Sequence, residues 1–118
     1  MNSVNIIGRV TKEPEMKTTE DGRTICTLRI AMDDIRSKDD RTDFITVTVY
    51  GSQANQCKRY LRKGFLCGIS GRLHSELVPN EEGIRRYAVT VVADRVQYLQ
   101  WPERNENRPS KVDVEEEE

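Results

Sequence analysis

The stretch that most constrains this chain is Asp43 to Leu73, DFITVTVYGSQANQCKRYLRKGFLCGISGRL. It opens on a strict two-residue alternation. Ile45, Val47 and Val49 take one phase, and Phe44, Thr46, Thr48 and Tyr50 take the other. That period predicts a strand with one buried face. The second face is unusual, because large aromatics stand at both ends of a threonine pair where a wet strand face normally carries small or charged groups. Gly51 stops the strand. Ser52 is a good N-cap, and Ala54, Cys57 and Leu61 fall at helical spacing. The pattern predicts a short helix running to Lys63, with Arg62 and Lys63 in its last turn and Gly64 ending it. A further strand then begins at Phe65.

The remaining chain reads as strands and turns. Residues 3–12 predict a first strand that Gly8 bends and Pro14 ends. Glu20-Asp21-Gly22 marks a turn. In residues 24–32, Cys26, Leu28 and Ile30 take the inward phase, and Thr27 and Arg29 the outward one. Residues 33–43 form a polar loop carrying Arg36, Lys38 and Arg41, either a solvated tip or a flap over a ligand. In residues 65–77, Phe65, Cys67, Ile69, Gly71 and Leu73 take one side, and Ser70, Arg72 and His74 the other. Pro79 to Gly83 is a turn, and residues 84–99 predict a last strand bent near Ala93-Asp94. The sum is an all-β domain, a five-stranded Greek-key barrel with one short helix between strands three and four, which is the OB-fold plan. Residues 1–102 form this domain. Residues 103–118, polar and aperiodic, predict a disordered acidic tail.

Charge separates along the same boundary. The tail holds seven acidic against three basic residues, −4, which leaves +3 on residues 1–102 of a chain whose total is −1. A mildly basic body suits a polyanion that the tail would repel. No apolar run is long enough for a membrane span or a leader peptide, so a cytoplasmic protein without membrane contact is expected. The three cysteines, Cys26, Cys57 and Cys67, lack CxxC spacing and read as free thiols.

Catalytic groupings are hard to find. There is one histidine, His74. Asp33-Asp34 and Asp39-Asp40 are interleaved with cations, and no phosphate-cradling glycine loop is present. No enzyme, metal or cofactor is expected. Instead, outward strand positions carry rings and cations: Phe44, Tyr50, Arg29, Arg72 and His74, with Arg85 and Arg86 opening the last strand. Aromatic platforms flanked by lysine and arginine bind single strands without reading sequence. Packing of the rings under a loop or a subunit would produce the same pattern, and the residues alone leave both open.

Several stretches resemble the bacterial single-stranded DNA-binding protein family: Val4 to Lys17, Thr27 to Met32, Asp43 to Gly51, Tyr60 to Gly64, Gly68 to Leu73 and Arg85 to Leu99. The resemblance implies an OB-fold, a homotetramer, and binding of single-stranded DNA in replication, repair and recombination, hence a nucleoid-associated protein. Two of the family's stacking positions match Phe44 and Tyr50. Two others fall near Ile35 or Arg36 and at Val78, where no ring stands. Tyr60, Lys63 and Arg86 match positions near the DNA path. Thr46 and Thr48 complete the expected DNA-binding row. Family members carry acidic tails with an apolar tip that docks replication and repair proteins. Here Glu115 to Glu118 carries no such tip, which implies weaker docking. A primosome-type OB protein, acting mainly through protein–protein contact, is the alternative.

Overall fold

The computed structural model describes residues 1–33 and 41–102. Six strands and one helix follow in order: β1 (Val4–Val10), β2 (Glu15–Thr18), β3 (Thr24–Asp33), β4 (Thr42–Tyr50), α1 (Ser52–Tyr60), β5 (Leu66–Pro79) and β6 (Arg85–Tyr98). They form one sheet in the order β1-β5-β6-β4-β3-β2, and a β1–β3 pairing closes it. Both β1 and β2 run antiparallel to β3. Counted as two halves of one bent strand, they make the closed barrel five-stranded, as expected of an OB-fold with a helix between its third and fourth strands.

Gly8 makes that closure possible. A Cβ there would lie 2.5 Å from the Ala31 carbonyl oxygen and 2.6 Å from Ile30 Cγ2. One residue later Arg9 pairs on one side with Leu66 of β5 and on the other with Ala31 of β3. Only a glycine lets the two backbones approach so closely at this corner. Pro14, buried, separates the two half-strands.

The inward phases of β3 and β4 meet in the core. Cys26, Leu28 and Ile30 pair across the ladder with Val49, Val47 and Ile45. All but the partly buried Ile45 are fully buried. Ala54, Cys57 and Leu61 cover one end of the barrel. The three cysteines are free and buried. Burial pushes the Cys57 thiol up to about 12, and those of Cys26 and Cys67 up to about 11.

The helix is shorter than its pattern predicts. Gly51, at φ 70°, holds the N-cap position in place of Ser52, with no side-chain cap. The helix ends at Tyr60 because Leu61 is extended, which drops its side chain into the core. Lys58 and Arg59 are therefore the last-turn cations, not Arg62 and Lys63. Arg62 to Phe65 form a turn closed by Phe65 N–H donating to the Arg62 carbonyl at 3.0 Å, with Gly64 at φ 91°. Strand β5 starts at Leu66 rather than Phe65.

The second departure lies in β5 and β6. Ser70 pairs with Arg95 but Gly71 pairs with Ala93, so Asp94 is an extra, unpaired residue. This is a β-bulge at the bend expected near Ala93-Asp94. Beyond it Val92 and Val91 still pair with β4, and past them β5 and β6 run on as a hairpin arm out to Pro79 and Arg85. Leu73, expected inside from its phase, is 51% exposed although its partner Val91 is buried, because on β5 the core reaches no further than Gly71. Arg36 and Lys38, and the expectation of a disordered tail, lie outside the described residues.

Candidate nucleic-acid interface

Strand β4 places its second phase on the outside of the barrel. Phe44 is 52% exposed and Tyr50 39%, with Thr46 and Thr48 half-buried between them. Tyr50 stands six positions after Phe44 along the strand, a span of about 20 Å.

Cations flank both rings. The Arg29 guanidinium carbon lies 5.5 Å from the centroid of Phe44, and Arg29 Nη1 donates to Thr46 Oγ1 at 3.1 Å. The pairings Arg29–Thr46 and Ala31–Phe44 explain this, since directly opposed residues share a face. At the other end Arg23 lies 5.9 Å from the Tyr50 centroid. Arg23 was not among the expected site residues. Its signal was present, because it stands two residues before Ile25, the partner of Tyr50, and so continues the outward phase of β3.

The same face crosses the sheet. Thr27 pairs with Thr48, Thr48 with Val92, and Val92 with Arg72, so these four form one row over β3, β4, β6 and β5. His74 is two residues further out on that face, and Arg86, opposite Val78, continues it along the arm. Arg72 is engaged by Asp94 at 2.8 Å. Arg85 pairs with Pro79 and lies on the arm's opposite face, away from Arg86. Arg41, exposed, sits before β4 with Asp43 4.0 Å from its Nε.

Tyr60 and Lys63 stand elsewhere. Tyr60 ends α1 in a ring cluster, 6.0 Å from Tyr98 and 5.4 Å from Trp101 between centroids. Tyr98 donates its hydroxyl to Cys57 Sγ at 3.7 Å, and burial raises its phenol well above the ordinary range. Lys63 donates its backbone N–H to the Glu13 carboxylate at 2.8 Å. Neither belongs to the Phe44–Tyr50 row.

Among the described residues no three His, Cys, Asp or Glu side chains come together as a metal site. No helix among them is long and apolar enough to cross a membrane. A small closed barrel with an outward row of rings and guanidinium groups defines an OB-fold domain of the binding kind.

Residues 1–99 match the single-strand binding protein family, and the chain belongs to it. Proteins similar to it include the single-stranded DNA-binding protein of Clostridium tetani, 45% identical over 104 residues, covering 86% of this chain and 72% of that protein. The single-stranded DNA-binding protein 3 of Clostridium acetobutylicum is 39% identical over 110 residues, with 91% and 76% covered. The single-stranded DNA-binding protein 1 of Staphylococcus aureus is 33% identical over 111 residues, with 92% and 71% covered.

Proposed function

We propose that this protein binds single-stranded DNA without reading its sequence and performs no catalysis. Bases would stack on Phe44 and Tyr50, and phosphates would meet Arg29, Arg23, Arg41, His74 and Arg86. The observation that carries this is the exposed Phe44 ring with Arg29 lying over it and Tyr50 at the far end of the same strand face. Every base has a π-face, so such a platform tolerates any sequence. The family and the names of its relatives agree with this reading. They do not favour the primosome-type alternative.

The protein would act as a self-associated assembly, a homotetramer, on strands exposed in replication, repair and recombination, and so in the compartment that holds the DNA. Residues 103–118 would give replication or repair proteins an acidic contact, weak because charge steers more than it buries.

The test is anisotropy of a labelled oligo-dT. Phe44→Ala and Tyr50→Ala should each lose ~1–3 kcal/mol of binding. Both variants should keep the wild-type urea midpoint, since both rings face away from the core. Wild-type affinity in either variant, or unfolding of either, would assign that ring to packing instead.

A further inference from the structure

Strand β6 bends at Asp94, three residues from Val91, where its pairing with β4 ends and the arm begins, and one side chain of α1 reaches that bend. Gln53 Nε2 donates to the Asp94 carbonyl oxygen at 2.9 Å, and Val96 N–H donates to Gln53 Oε1 at 3.2 Å. These two backbone groups flank Arg95. A residue on a parallel neighbouring strand uses the same pattern, accepting from one residue and donating to the residue two positions away.

Strand β4 is that parallel neighbour. It pairs Val47 with Val91 and Thr48 with Val92, and continuing the register would set Gly51 opposite Arg95. The chain cannot continue it, because Gly51 turns into the helix at φ 70°. The Gln53 amide stands in for the missing peptide group. It satisfies a donor and an acceptor that would otherwise be left at the seam between helix and sheet. On the other side of the bulge, the Asp94 carboxylate holds Arg72 at 2.8 Å. The bulge residue is thus held by its carbonyl from α1 and by its side chain from β5.

We infer that Gln53 is a positioning residue: with Asp94 and Arg72 it locks the bulge and fixes the direction in which the arm carries His74 and Arg86 toward a bound strand. This rests on the single-stranded DNA reading for its consequence, but the lock itself can be read without DNA. The Phe44–Tyr50 row lies on β4, to which the lock makes no hydrogen bond, and the pairing of β6 with β4 ends at Val91, so the arm past Val91 can move without it.

The test uses the full chain with Gln53→Met, which keeps length and packing and removes both hydrogen bonds, and Asn55→Ala on an exposed position of the same helix as a control. Amide hydrogen exchange should quicken at Val96 by about fivefold, the equivalent of one hydrogen bond. The amides of Leu28 and Val47 should be unchanged, showing that the barrel stays folded. An oligo-dT of about 8 nucleotides, within the reach of one OB-fold, should bind as to wild type. One of about 30 nucleotides, which also engages the arm, should bind about fivefold more weakly, the effect of one such hydrogen bond. Asn55→Ala should change none of these. Unaltered exchange at Val96 overturns the lock. Quickened exchange with equal effects on both oligonucleotides overturns the positioning role. Failure of the wild type to bind either length overturns the DNA reading, while the exchange result still decides the lock.

Discussion

Arg29 and Phe44 stand on neighbouring strands with the guanidinium carbon 5.5 Å from the ring centroid, and the arginine is tied at the same time to Thr46 at 3.1 Å. The hydrogen bond fixes the guanidinium plane, so the cation presents one side to the ring and leaves other N–H groups for solvent or phosphate. Arg29→Lys keeps the charge but cannot bridge ring and hydroxyl together. It should weaken oligo-dT binding by ~0.5–1 kcal/mol, the size of an exposed cation–π contact. Arg29→Ala should weaken it more, and should lower the log–log salt slope by about 0.7, the loss of one phosphate on a single strand. Titration at several salt concentrations checks both. Equal slopes for wild type and Arg29→Ala would remove Arg29 from the phosphate contacts.

The buried thiols make stability sensitive to alkali. Cys26, Cys57 and Cys67 sit in the core, and burial raises each, to about 11, about 12 and about 11. Their folded values exceed the unfolded one, so the neutral form is what the fold holds. Well below the free-thiol value of about 8.5 both states are protonated and the thiols add no pH dependence. From about 8.5 up to the folded values, the unfolded chain gives up protons that the folded one keeps. Stability should then fall with rising pH, by up to about 1.4 kcal/mol per unit for each thiol. Urea midpoints should be lower at about pH 10 than at about pH 7, with a shallower drop for Cys57→Ala. A midpoint independent of pH across this range would contradict it.

Gly71 adjoins the bulge on β5, where a Cβ would collide with the Val92 carbonyl oxygen and stand 3.0 Å from Ala93 Cα. These are backbone atoms and cannot rotate away. Gly71→Ala should therefore destabilise the protein by at least ~1–3 kcal/mol, the usual cost of overpacking. Gly83→Ala is the contrast, since no atom lies within 4 Å of its Cβ and only its positive φ opposes the change. Urea unfolding of the two variants should rank Gly71→Ala well below Gly83→Ala.

The barrel was legible because β3 and β4 each have one apolar face, and a two-residue period records which side is buried. The same period could not show where the barrel ends. Leu73 and Val91 keep the inward phase and are paired, yet Leu73 is half exposed while Val91 is buried. The helix end was missed for a related reason: Leu61 suits a helical stripe, but it reaches the core from an extended backbone. Phe44, Tyr50 and Arg29 were legible from strand phase, and Arg23 follows the same phase across a turn. Tyr60 carries no mark in the sequence of its contacts with Tyr98 and Trp101, because those partners are some forty residues away. Nor could Gln53 be found by period, since its role depends on the register of two strands it does not belong to.

The last prediction concerns self-association through β1. On one side β1 pairs with β5 from Val4 to Arg9, and on the other only Arg9 and Val10 meet β3. From Val4 to Gly8 the second edge has no strand beside it among the described residues. An open edge of this kind invites pairing with another copy of the chain. Ile7 stands in its middle, paired with Gly68 on the outer face and 64% exposed. A second copy would cover both the edge and that side chain. Light scattering should therefore give a mass of several times 13.6 kDa at micromolar protein, with four copies as the expected number. Ile7→Asp puts a charge where an apolar contact is expected, and like charges from two copies would face one another across a symmetric pairing. It should shift the mass toward the monomer while leaving the circular dichroism of the barrel intact, because Ile7 contributes nothing to the core. A monomeric wild type, or an Ile7→Asp variant with unchanged mass, would rule this edge out as the contact.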